Sequence, residues 1–114
     1  MRTINKYSEE NQIFLVKRNP FEIDLIENPT ELVQLEAIRQ IPTIINDIKK
    51  PTLKVQIEAV RLDPLAIYYI KNPIEKVQLE ALKNTTCPDR KLLFNWIENP
   101  TKKVKLLFKL MLKI

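Results

Sequence analysis

The chain of 114 residues contains no glycine and no histidine. Glycine is the usual residue at left-handed helix ends and in hairpin turns, so its absence argues against a β-rich fold. Without histidine no Cys/His metal cluster can be assembled. Cysteine occurs once, as Cys87, so no disulfide can form within the chain. A lone thiol suits a reducing compartment, and a cytoplasmic location is expected. There is no glycine-rich phosphate loop and no nucleophile with a base at workable spacing. Cys87, with Asp89 and Arg90 nearby, is the one candidate for a reactive thiol. No run of about 20 apolar residues exists to span a bilayer, and no N-terminal apolar run resembles a secretion signal. The expectation is a protein that is not an enzyme, holds no cofactor or metal, and works by binding.

The net charge of +5 hints at nucleic acid until it is located. Residues 1–100 hold 14 Lys+Arg against 14 Asp+Glu, which cancel. The excess is Lys102, Lys103, Lys105, Lys109 and Lys113, all after Pro100. A charge-balanced body with a basic last helix is the plain reading.

What the chain does have is proline at regular intervals. Pro20, Pro42 and Pro64 are 22 residues apart, and so are Pro29, Pro51 and Pro73. Two interleaved series with one period imply a repeated unit with two helix starts. Within it TELVQLEAIR recurs as TLKVQIEAVR and IEKVQLEALK. Ser8–Asn19 aligns with Thr30–Ile41, and Ile4 with Ile26, so the chain is expected to begin inside a truncated first helix. Pro88–Glu98 repeats the short segment with about three extra residues, and Pro100–Ile114 repeats the long one.

Each proline reads as a first helical residue, where its missing N–H costs nothing. Asn19, Asn28, Asp63, Asn72 and Asn99 read as the caps before them. Glu22, Glu31 and Glu75 complete an Asn version of the capping box. Each unit is then a short helix of about seven residues, partly 3₁₀, and a long one of about eleven. The predicted fold is all-α, a single domain with units at 1–19, 20–41, 42–63, 64–87 and 88–114.

Projected at about 100° per residue, the long helix has an apolar arc of roughly 200°, too wide for a one-faced helix. Val33, Leu35, Ala37, Ile38 and Ile41 carry it, and Val55, Ala59 and Val60 and then Val77, Ala81 and Leu82 repeat it. Short-helix columns Ile23, Ile45, Ile67, Phe94 and Ile26, Ile48, Ile70, Ile97 complete the predicted core. One polar column lies inside the arc: Gln12, Gln34, Gln56 and Gln78. A buried amide needs partners, so these are expected to hydrogen-bond the backbone of the turns. Outside, Glu36, Glu58 and Glu80 are expected to pair with Arg39, Arg61 and Lys83 at i,i+3 and with Lys54 and Lys76 at i,i+4.

The string VQLEALKNTTCPDRKLLFNWIENPTKKVKL resembles the leucine-rich variant repeat family. The phrase N-P-x-E-x-V-Q-L-E-A-V is also similar to HEAT-like short helical repeats of uncharacterised bacterial and phage proteins. The resemblance covers nearly the whole chain. It implies a right-handed α-solenoid of about four and a half 22-residue two-helix repeats. The cysteine cluster found in some members is missing, so no iron–sulfur centre is implied.

Solenoids carry specificity on exposed columns that differ between units. The fourth and fifth residues after each short-helix proline are Asp24–Leu25, Asn46–Asp47 and Tyr68–Tyr69, matched by Asn95–Trp96. Tyr68, Tyr69 and Trp96, with Asp24, Asp47 and Glu98 near them, are the candidate partner-binding set. The competing structural reading is that the rings fill gaps between repeats. The second candidate is the last helix, where Lys105, Lys109 and Lys113 form a stripe beside Leu106, Leu107, Leu110, Met111 and Ile114. That helix either packs its apolar side inward, binds a partner or a second copy as a homodimer, or lies on an anionic membrane surface. The expected function is a non-enzymatic protein-binding module. A solenoid of this size suits a phage or mobile-element protein that docks onto and inhibits a host or defence protein, such as an anti-CRISPR. The alternative is a nucleic-acid-binding repeat protein using the basic C-terminal helix.

Overall fold

A computed structural model describes residues 7–86 and 89–113. Ile4, Cys87, Pro88 and Ile114, named above, lie outside them. Among the described residues the chain is all-α, with no strand. Six α-helices run Glu9–Arg18 (α1), Glu31–Gln40 (α2), Leu53–Leu62 (α3), Glu75–Asn84 (α4), Arg90–Trp96 (α5) and Lys102–Met111 (α6). Among the described residues, the 3₁₀-helices Pro20–Leu25 (η1), Pro42–Asp47 (η2) and Pro64–Tyr69 (η3) alternate with the first four. Long helices pack in chain order, α1 on α2, α2 on α3 and α3 on α4. The short ones do the same, η1 on η2, η2 on η3 and η3 on α5. Two layers result, in a body of 52 × 21 × 21 Å.

The apolar spine follows the columns. Ile23, Ile45, Ile67 and Ile26, Ile48, Ile70, Ile97 are buried, as are Val33, Val55, Val77 and Val104. Ala37, Ala59 and Ala81 have no exposure, and their small side chains let neighbouring long helices approach closely. Truncating one of the buried isoleucines to alanine would cost about 2–5 kcal/mol. The last short-helix copy departs from expectation. Leu93 is the fully buried residue there, and Phe94 is half-buried, stacked on Phe108 with centroids 4.1 Å apart.

The short helices begin as predicted, with proline at the first position. Asn19 Oδ1 accepts from the Phe21 N–H at 3.2 Å, and Asp63 Oδ1 from the Leu65 N–H at 3.1 Å. These helices are six residues long and wholly 3₁₀ rather than partly so. The fifth copy, with its extra residues, forms an α-helix of seven instead.

The long helices begin differently from the expectation. Their caps are not Asn28, Asn72 and Asn99 but the residue after each proline: Thr30, Thr52, Ile74 and Thr101. The three threonine hydroxyls accept from the N–H of Val33, Val55 and Val104, each filling one of the orphan donors of a helix start. Ile74 has no side chain that can do this. Asn72 and Asn99 instead take positive φ, 48° and 53°. Asparagine tolerates that left-handed region, so it does at these turns what glycine would do in a chain that had any. Glu31 does not reach back to complete a capping box. It accepts from the Thr52 hydroxyl of the following unit at 2.6 Å.

The glutamine column is a set of staples. Nε2 of Gln12, Gln34, Gln56 and Gln78 donates to the carbonyl five residues back, on Tyr7, Pro29, Pro51 and Pro73, at 2.9–3.1 Å. Two staples also cross to the next unit. Gln34 Oε1 accepts from the Thr52 N–H at 3.2 Å and Gln78 Oε1 from the Thr101 N–H at 3.1 Å. Gln78 Nε2 is shared with the Asn99 carbonyl as well.

The ion pairs run between units, not along a helix as expected. Arg39 Nε sits 2.7 Å from Glu58, and Arg61 Nε 3.1 Å from Glu80. Each arginine reaches the next long helix, where its planar fork meets both carboxylate oxygens. The Arg61 hydrogen bond, helped by its charge, holds the Glu80 carboxyl below the ordinary glutamate value.

Candidate partner-binding surface

A 3₁₀-helix has three residues per turn, so side chains at i and i+3 line up. In η3 and the residue after it, Ile67 and Ile70 form that row and are buried. Tyr68 and Tyr69, between them, are turned outward, with 58% and 39% of their surface exposed. Trp96, on α5 in the next unit, is half-buried beside them. The Tyr68 ring meets Tyr69 edge-on at 5.1 Å and an 87° interplanar angle, and meets Trp96 at 4.8 Å and 57°. Such pairs stabilise one another by about 0.5–1.5 kcal/mol beyond burial. The cluster therefore bridges two units and also presents an open aromatic face.

Of the predicted carboxylates, Glu98 follows Trp96 by two residues and is exposed. Asp47 is on η2, one unit back, and half-buried. Asp24 is on η1, exposed, and separated from η3 by η2. The structure also places two lysines in a groove with Tyr69. A groove of about 420 Å³ between the third and fourth units is lined by Asn46, Lys49, Gln56, Tyr69 and Lys71 over a floor including Ile45, Ile48 and Ile70. Tyr69 thus belongs to both the aromatic cluster and the groove. The lysines were missed in the sequence, though a signal exists. The residue after each short-helix isoleucine is Glu27, Lys49, Lys71 and Glu98, basic only in the middle units.

The last helix divides its residues between two faces. Val104 is fully buried, and Leu107, Phe108 and Met111 pack against the core at i+3, i+4 and i+7. Arg90 Nη1 donates to the Met111 carbonyl at 3.3 Å, tying the C-terminal end of α6 to α5. Lys105, Lys109 and Lys113 are exposed, and so are Leu106, Leu110 and Leu112. Of the apolar residues singled out in the sequence, Leu107 and Met111 therefore face inward and Leu110 faces solvent.

Among the described residues no helix is long and apolar enough to cross a membrane, and no group of three or more His, Cys, Asp or Glu is placed to hold a metal ion. Comparison of the chain with protein-family models, with curated proteins and with solved structures finds no match.

Proposed function

We propose that the chain is a non-enzymatic protein-binding module, built as a right-handed α-solenoid of about four and a half leucine-rich-variant-like repeats. Its contact surface is the short-helix face around Tyr68, Tyr69 and Trp96. The observation that carries this reading is three aromatic rings joined through Tyr68 across two units, that central ring more than half exposed. Rings mounted on a close-packed spine are pre-ordered, so a partner that covers them gains apolar burial with little loss of side-chain freedom.

Affinity capture from cells, comparing the wild-type chain with Tyr68→Ala/Tyr69→Ala and Tyr68→Ala/Trp96→Ala, tests it. Partner recovery falls at least tenfold in both while the urea midpoint stays within a modest shift. Unchanged recovery from correctly folded variants refutes the site. The second reading, nucleic-acid binding, draws on the five exposed lysines after Pro100. It requires an affinity for DNA or RNA that falls steeply with salt and is lost with those lysines, not with the rings.

A further inference from the structure

The face that closes each unit against the next is defined by three columns. Leu35 and Ile57 are buried and Leu79 is half-buried; Ile38, Val60 and Leu82 are fully buried; Gln34 and Gln78 carry the crossing staples. In α6 the same positions are Leu106, Lys109 and Lys105, and all three are exposed. This is the surface on which a stack of this kind seats another long helix. Its chemistry has changed. A buried isoleucine, valine or leucine has become Lys109, and the staple amide has become Lys105, so a repeat like the preceding ones would bury two ammonium groups without partners there. Leu106, 58% exposed, and Leu110, 52% exposed, form an apolar seam at i,i+4 on this side. Lys103 lies on one flank of the seam, with Lys102, Lys109 and, further round, Lys105 on the other. After Glu98 the chain contains five lysines and no acidic residue.

These observations select the occupant. A second copy meeting this face with its own would set lysine against lysine, and the like-charge contact opposes a symmetric dimer through α6. A bilayer would receive too little, since Val104, Leu107, Phe108 and Met111 are turned into the core and leave a narrow seam for lipid. We infer that the α6 end of the stack is a docking face for an acidic amphipathic helix of another protein. The partner helix lies in the place of a following long helix. Its apolar stripe covers Leu106 and Leu110, and carboxylates on both flanks meet Lys103 on one side and Lys105 and Lys109 on the other. This surface is distinct from the aromatic one and stands or falls separately.

The test uses the full chain and a labelled synthetic helix of about three heptads, with leucine at a and d and glutamate at e and g. Fluorescence anisotropy is followed against salt for the wild type, Lys105→Glu/Lys109→Glu and Leu106→Ser/Leu110→Ser. Circular dichroism confirms that the variants, changed only at exposed positions, stay folded. The peptide binds the wild type, weakens as salt rises, and loses at least about tenfold in affinity with either double variant. A peptide of the same composition with its leucines scattered binds at least about tenfold more weakly. The inference is overturned if the ordered peptide fails to bind, or if the scattered peptide binds as well. It is equally overturned if Leu106→Ser/Leu110→Ser leaves affinity intact. Tighter binding to vesicles of about 30% phosphatidylserine, or to a DNA duplex, than to the peptide also overturns it and assigns the lysines to that anionic surface instead.

Discussion

Replacing each staple glutamine by leucine keeps a similar side-chain volume and deletes a different number of hydrogen bonds. Gln56 makes one, to the Pro51 carbonyl. Gln34 makes two, to the Pro29 carbonyl and from the Thr52 N–H. Gln78 makes three, to the carbonyls of Pro73 and Asn99 and from the Thr101 N–H. At about 1 kcal/mol net per bond, the losses are about 1, 2 and 3 kcal/mol for Gln56→Leu, Gln34→Leu and Gln78→Leu. The gain from burying extra apolar atoms offsets part of each loss. It favours the buried sites, Gln34 and Gln78, so it compresses the series without inverting it. For a chain of this size the spread between the end members corresponds to roughly 6–10 °C in Tm. Urea unfolding followed by circular dichroism measures the order directly. Gln78→Leu should also lower the slope of the transition, because its crossing bonds join α4 to the start of α6 and their loss lets the last unit open first. Three variants destabilised equally, or Gln56→Leu worst of all, would refute the staple reasoning.

Two further outcomes follow from individual contacts. Ile74, exposed and without a capping bond, occupies the position where the other capped long helices carry threonine or serine, so Ile74→Thr should stabilise the protein by about 0.5–1 kcal/mol, read as a raised urea midpoint. A lowered midpoint would mean that Ile74 packs in a way its exposure conceals. Glu80 is held below the ordinary glutamate value first by the Arg61 hydrogen bond, so its folded-state pKa is depressed. The stability it contributes is present above the unfolded pKa of about 4.3 and is lost as pH falls through the folded value. Arg61→Gln should move the Glu80 carboxyl upward in a carbon-detected NMR titration and flatten the acid limb of the stability profile. An unmoved Glu80 titration would show that Arg61 does not set it.

The candidate surface was partly legible. Tyr68, Tyr69 and Trp96 stood out because aligned columns differed between units while Ile67, Ile70 and Ile97 held steady, and the rings do meet. Asp24 shares their column but lies on η1, separated from η3 by η2. Column position says nothing about distance along the stack, and one step there is a full helix width. Lys49 and Lys71 were overlooked because they sit in turns outside the compared columns, yet the packing of two turns brings them to one groove.

Helix content, the identity of the buried columns and the need of the glutamines for backbone partners could be read from the chain itself. Local rules govern them: proline restricts where helices begin, apolar spacing selects a face, and a buried amide must be satisfied. Partner choice between units could not. Arg39 and Arg61 had equally good glutamates on their own helices, and only the approach of the next helix made Glu58 and Glu80 the better match. At the proline-led long helices the cap position is the residue after the proline rather than the residue before it, for a similar reason, since the chain entering each must place the proline carbonyl where the glutamine can reach it. Which side of α6 meets solvent was likewise decided by packing, through the Phe94–Phe108 stack and the Arg90 tie to Met111, contacts between segments whose relative rotation no local pattern encodes.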